Sequence, residues 1–227
     1  MTVRTGAILL LLATMLGNPG PARAGVIRGE VRVPPVPSAP QRERNHYAGR
    51  ASALARPHVH PRGAVRDAVV YVDSLPAEVD VRLPAPAGEP LLVQKEQAFQ
   101  PRVIAVPAGA AVGFPNMDPI YHSVFSVSPA RRFDLGRYGK GKSKRVRFPE
   151  SGLVNVYCDI HSNMEGFILV TPNRALARPD AAGRYELPDL PPGRYRLLAW
   201  HPDLSPVRQE VTVPAEGDVA ADVTFAP

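Results

Sequence analysis

The chain has 227 residues, 44% of them apolar and 21% charged, which is enough apolar material for a packed core and too much for a disordered polymer. With 27 prolines, 18 glycines and no long amphipathic helical pattern, the composition excludes a helical bundle and predicts an all-β protein of short strands joined by turns. The formal charge is +6, or +4 once the leader arginines Arg4 and Arg23 are removed; this suits an acidic or anionic partner, or simply solubility.

In chain order, Arg4, the apolar run Ala7 to Leu16 and the small-x-small sequence Ala22-Arg23-Ala24 predict a signal peptide over 1–24, cut after Ala24. The run is too short to span a bilayer, and no other segment approaches the ~20 apolar residues that a membrane helix needs, so no membrane span is expected. A periplasmic or secreted location follows. Export argues against nucleic acid as a partner.

Val26 to Val33 and Ala68 to Val72, rich in β-branched residues, are predicted strands of an N-terminal segment 25–73. The Pro, Arg and His-rich stretch 34–65 between them is expected to be an exposed loop. Further strands are predicted at Arg102 to Val106, Ala111 to Phe114, His122 to Ser126, Ser143 to Phe148, Leu153 to Tyr157 and Gly166 to Val170, separated by turns such as Pro107-Ala-Gly109. This spacing implies a sandwich or barrel over 91–171. Arg184 to Leu187, Tyr195 to Trp200, Val207 to Val213 and Val219 to Phe225 predict a smaller β unit over 174–227.

Cysteine use is the most informative feature, because exported proteins usually carry Cys in pairs and this chain has one, Cys158. Cys158-Asp-Ile-His161-Ser-Asn-Met164 places a thiolate, an imidazole and a thioether on one short segment. These donors suit copper, and a trigonal His₂Cys set with a weak axial Met is the arrangement of a type 1, or blue, copper site. The second imidazole is assigned to His122, after the turn-rich Asn116-Met-Asp-Pro119. Strand parity sets Cys158 on the same face as Val154 and Val156, pointing inward.

Other chemistries fit less well. Zinc gains little from Met, and a dinuclear copper centre needs two bridging thiolates. A Cys158 nucleophile with His161 as its base lacks an orienting third group.

These residues resemble the cupredoxin family, and the Cys-x-x-His-x-x-Met spacing is similar to that of amicyanin. The resemblance runs over Leu91 to Thr171 and includes Phe99-Gln-Pro101, Pro107-Ala-Gly109, Phe114-Pro-Asn116-Met-Asp118 and His122-Ser-Val124. It implies a Greek-key sandwich, one type 1 copper ion, and Asn116 and Ser123 as residues that support the ligand loops. Ser162 departs from the proline common at that position in amicyanin-type loops. The tail, through Pro179-Asp-Ala-Ala-Gly183-Arg-Tyr185 and Leu190-Pro-Pro-Gly193-Arg-Tyr195, resembles carboxypeptidase regulatory-like domains. The opening strands of such a domain match 25–73, so the cupredoxin segment is expected to be inserted into this second sandwich.

Three other features stand out. His58-Val-His60, with His46, is a second metal site or, preferably, a solvated insertion. His201 at a strand end reads as structural. Arg131, Arg132, Arg137, Lys140, Lys142, Lys144, Arg145 and Arg147, against Asp134 alone, make a docking surface or a solvated face.

The expected function is one-electron transfer to or from a redox protein such as a c-type cytochrome or a copper enzyme, with no catalytic residues and no enzyme activity. Copper carriage in the envelope and a structural or adhesive role are the alternatives.

Overall fold

The computed structural model describes residues 24–36, 61–85 and 87–226. The predicted leader up to Arg23, most of the loop 34–65 and its histidines His46, His58 and His60 lie outside the described residues.

The fold is all-β. The N-terminal segment gives β1 (Ile27–Arg32) and β2 (Val69–Val72), with a single helical turn at Ala77–Asp80. The middle of the chain gives β3 (Val93–Lys95), β4 (Ala98–Gln100), β5 (Val103–Pro107), β6 (Ala111–Pro115), β7 (His122–Ser128), β8 (Arg131–Tyr138), β9 (Ser143–Arg147), β10 (Gly152–Cys158) and β11 (Glu165–Thr171). The tail gives β12 (Leu176–Ala177), β13 (Arg184–Glu186), β14 (Gly193–His201), β15 (Leu204–Val213), β16 (Val219–Ala220) and β17 (Val223–Thr224). No helix among the described residues is long and apolar enough to cross a membrane.

Four strands go beyond the sequence reading, β3, β4, β8 and the two-residue β12. The β3–β4 hairpin is too short to show a period, and β8 is masked by its charges. Its apolar members Phe133 and Leu135 nevertheless alternate with exposed Arg132 and Asp134, and pack on the core. At the C-terminus, the run predicted as one strand divides into β16 and β17, both paired in parallel with β1.

The pairing sorts these strands into layers. One sheet has the order β13-β1-β16 with β17 also on β1, and a second has the order β12-β2-β14-β15. An apolar cluster that includes Ile27, Val31, Val70, Val72, Leu197 and Val223 fills the space between them. The third sheet runs β5-β11-β10-β7-β8, and a separate cluster that includes Ile104, Phe114, Phe148, Val154 and Ile168 packs it against β6–β9.

Alternation assigns residues to these clusters. In β2, Val70 and Val72 join the first core, while Val69 and Tyr71 point the opposite way. In β11, Ile168 and Val170 join the middle core, while Phe167 and Leu169 point away from it. The outward sets meet, with Val103 and Trp200, in a third apolar layer. The unbroken apolar runs of β2, β5 and β11 are thus strands buried on both faces.

A charged node borders this layer. Arg102 makes a two-pronged contact with Asp203 at 2.8 and 3.1 Å, lies 3.6 Å from Asp67, and sits over the Phe167 ring at 5.2 Å. Arg62 Nε and the Gly63 N–H complete Asp203 at 3.2 and 3.1 Å. Burial and the neighbouring acids set His201 in the structural role expected of it: Nε2 lies 3.2 Å from the Ala64 carbonyl and Nδ1 accepts the Asp203 N–H at 3.1 Å.

Candidate metal centre

Strand pairing brings the ligand-type residues together. β7 starts at His122 and β10 ends at Cys158, and the two strands pair antiparallel with Cys158 opposite Val124. After Cys158 the chain turns tightly and returns as β11. The Cys158 N–H donates to the Met164 carbonyl at 3.3 Å, and the Met164 N–H to the His161 carbonyl at 3.0 Å. These two bonds close the loop and fix where its three side chains project. Val154, Val156 and Cys158 are buried, whereas Asn155 and Tyr157 are only half-buried, as inward parity requires.

His122, Cys158 and His161 form one cluster of possible metal-holding groups among the described residues. The two Nδ1 atoms are 3.1 Å apart, and each is 3.7 Å from Cys158 Sγ. A point equidistant from the three lies about 2.0 Å from each, a metal–nitrogen bond length and slightly short of the ~2.3 Å usual for metal–sulfur. The donor set of two imidazole nitrogens and a thiolate fits a borderline-to-soft ion. Met164, 1% exposed, is buried in the same apolar cluster as Cys158, so its thioether is held at this end of the sandwich.

Asp118 orients the buried imidazole. Its carboxylate lies 2.8 Å from His122 Nε2, so Nε2–H donates to it and Nδ1 faces Cys158 and His161. The same carboxylate accepts the Glu96 and Gln97 N–H groups at 2.7 and 2.9 Å. These two residues are the turn of the β3–β4 hairpin, with φ of 56° and 55°. Asn116 organises the segment before His122: its side-chain amide donates to the Ile120 and Tyr138 carbonyls at 2.9 and 3.0 Å, and its oxygen accepts the Asp118 N–H at 2.9 Å. Ser123 contributes through its backbone, accepting the Asp159 N–H at 3.2 Å and donating towards the Cys158 sulfur.

Electrostatics follow from this geometry. Burial pushes the Cys158 thiol up, but hydrogen bonds from His122, His161 and the Ser123 and His161 backbone outweigh it and hold it at about 5. Burial alone would lower His122, yet the Cys158 sulfur and the Asp118 carboxylate raise it above the ordinary imidazole range.

His161 is half-buried, and exposed apolar side chains surround this end: Met117 is 54% exposed, Tyr121 66% and Ile160 39%. The turn 139–142 is bound to the same loop, with the Gly141 N–H on the Asn116 carbonyl at 2.8 Å and the Asn116 N–H on the Lys142 carbonyl at 2.9 Å. Of the basic residues singled out in the sequence, Arg137, Lys140 and Lys142 therefore lie at the His161 end. All three are exposed, and none forms an ion pair among the described residues.

Sequence reasoning missed Asp118 as a partner of His122. The available signal was its place four residues before a strand-initiating histidine, within a turn.

No family model and no curated protein matches the chain. Among solved structures, it is similar to a copper-containing nitrite reductase from Thermus scotoductus SA-01, at 23% identity over 40% of this chain and 25% of that one, with a TM-score of 0.35. It is also similar to a purple cupredoxin from Nitrosopumilus maritimus, at 19% identity over 37% of this chain and all (100%) of that one, with a TM-score of 0.34. An oxidised amicyanin variant matches at 18% identity over 38% of this chain and 85% of its own, with a TM-score of 0.35. The matched segment thus spans a quarter of the nitrite reductase's length.

Proposed function

We propose that the chain is an exported electron carrier that holds one copper ion between His122 Nδ1, Cys158 Sγ and His161 Nδ1, with Met164 as the weak fourth donor. The observation that carries this reading is the triangle of 3.1, 3.7 and 3.7 Å, whose centre lies about 2.0 Å from all three atoms. On this reading residues 91–171 are a cupredoxin unit set into a carboxypeptidase regulatory-like sandwich made from 25–73 and 174–227. The pairing of β1 with β13, β16 and β17 supports the insertion.

Copper supplies a one-electron change between Cu(I) and Cu(II). The chain's part is to keep the donors still while the charge changes. Cys158 is clamped between backbone hydrogen bonds, His122 by Asp118, and the ligand loop by its two internal bonds. Four protein donors leave no position for a substrate, which supports a carrier over an enzyme.

His161, at the surface end, is the portal. The apolar rim of Met117, Tyr121 and Ile160, flanked by Arg137, Lys140 and Lys142, suits a redox protein with an acidic border around an apolar centre. The periplasm, or the medium, is the compartment this reading requires.

The decisive experiment is the visible spectrum of the copper-loaded protein beside that of Cys158→Ala. An intense thiolate-to-copper band, lost in the variant, is expected. A colourless copper-loaded protein sinks the reading, and ready surrender of Cu(I) to an acceptor protein in place of reversible reduction turns it into copper carriage.

A further inference from the structure

We infer that Asp118, clamped by the β3–β4 turn, is the positioning residue of the metal centre, and that its charge makes His122 a donor that favours Cu(II) over Cu(I). The inference rests on His122 being a ligand of the copper.

The geometry is specific. Asp118 is 6% exposed, and its two oxygens meet three donors: Glu96 N–H at 2.7 Å, Gln97 N–H at 2.9 Å and His122 Nε2 at 2.8 Å. An ionised carboxylate only accepts, so three converging donors suit the anion and hold it in one orientation. Two of them come from a tight turn. Lys95 pairs with Ala98, leaving Glu96 and Gln97 as a two-residue loop with both residues at positive φ. Neither is glycine, and the left-handed region is unfavourable for an L-residue. The conformation aims two successive N–H groups at one point, a small anion nest, and the anion placed there is Asp118.

The consequence passes along the ring. With Nε2–H fixed on the carboxylate, His122 presents Nδ1 to the metal in one tautomer and one plane. A full negative charge behind the imidazole also strengthens Nδ1 as a donor, and a stronger donor stabilises the more highly charged ion.

The test is Asp118→Asn, which keeps the size but removes the charge and replaces one accepting oxygen with a donor. We expect the Cu(II)-to-Cu(I) binding ratio to fall about tenfold, read as a rise in reduction potential of about 59 mV for a one-electron couple. A folded variant with lower melting temperature but unchanged potential would show a merely structural role and overturn the inference.

If the variant does not fold, imidazole NMR of the wild-type Cu(I) protein decides. A slowly exchanging His122 Nε2–H is expected, and an unprotonated Nε2 refutes the clamp. If the wild-type protein takes up no copper, the metal reading fails. The neutral form of metal-free His122, reached at alkaline pH, then decides the clamp by itself, Nε2–H supporting it and Nδ1–H alone overturning it.

Discussion

Two of the polar clusters buried by the described residues, one beside the inter-sandwich layer and one at the end of the middle sandwich, differ in their balance. At the first, Arg102 and Arg62 face Asp203 and Asp67, two cations against two anions, and Asp203 gains the Gly63 N–H besides. It is complete in itself. At the second, two Nδ1 atoms and a thiol sulfur held at about 5 converge within 3.7 Å and close on one another only by sharing protons. A buried cluster whose fixed charges close on each other is a structural device. One that is held by exchangeable protons, with its donor atoms facing one point, can give up those protons to a metal ion.

The comparison breaks most visibly at Arg102. Replacing it with Ala takes the nearest cation from Asp67 and leaves Asp203 only Arg62 and the Gly63 N–H, in a buried setting where the two acids' side-chain exposures are only 7% and 4%. Losing one partner of such a node costs about 3–5 kcal/mol. Chemical denaturation should show this loss equally with and without copper, and the visible band of the loaded protein should be unchanged. A variant that loses its copper along with its stability would show that the two clusters are one system.

The complementary prediction concerns the metal. Copper at about a thousandfold excess over its dissociation constant should stabilise the wild-type fold by about 4 kcal/mol. In Cys158→Ala that increment should vanish, whatever the change in metal-free stability from the lost contacts of the sulfur. Melting curves with and without copper measure both. Equal stabilisation of the variant would place the copper elsewhere, for instance on His46, His58 and His60.

How much of this was legible in the sequence depended on distance along the chain. Cys158, His161 and Met164 share one segment, so donor chemistry alone linked them, and strand parity gave the direction of the thiol. His122 could be added because a turn-rich stretch delivers it to a strand start. Asp118 lay in view, but its other partners are 21 and 22 residues away, on a hairpin turn of Glu96-Gln97 that carries no Asn-Gly signal. The node was further out of reach, for Arg102 and Asp203 are separated by 101 positions. The unbroken apolar runs of β2 and β11 carry the signal of burial on both faces, which reading them simply as strands left unused.

Acid separates the clusters more gently. Burial pushes the Asp203 carboxyl up, but Arg102, the Gly63 N–H and Arg62 outweigh it and hold it at about 2, against an ordinary 3.8. Its folded value is depressed, so its stabilisation of about 2 kcal/mol is present above pH 4 and is lost as the pH falls towards 2. Asp67 is raised by burial, so acid relieves it, and the net loss should be smaller than Asp203 alone implies. In Arg102→Ala the gain on acidification should grow. Asp67 loses its nearest cation while Asp203 keeps Arg62 and the Gly63 N–H, so stability should recover more steeply than in the wild type from pH 7 towards 4. Denaturant midpoints across that range measure the slope, and a wild-type slope in the variant would refute the assignment of the node.

The smallest effect on stability, and the sharpest on function, is expected at the rim. Lys140 and Lys142 are exposed and make no ion pair among the described residues, so reversing both to Glu should change stability by no more than about 0.5 kcal/mol. The copper band should not move. What should change is the encounter: at low salt, the second-order rate of electron exchange with an acidic c-type cytochrome should fall about tenfold, and its dependence on ionic strength should flatten or invert. Arg208→Glu is the control. Arg208 is exposed on β15 in the other sandwich, and charges separated by more than a screening length of ~8–10 Å contribute little. Stopped-flow rates over a salt series would decide the matter. If Arg208 mattered as much as the two lysines, net charge would account for the attraction, and the lysine-flanked rim at His161 would lose its claim to be the docking face.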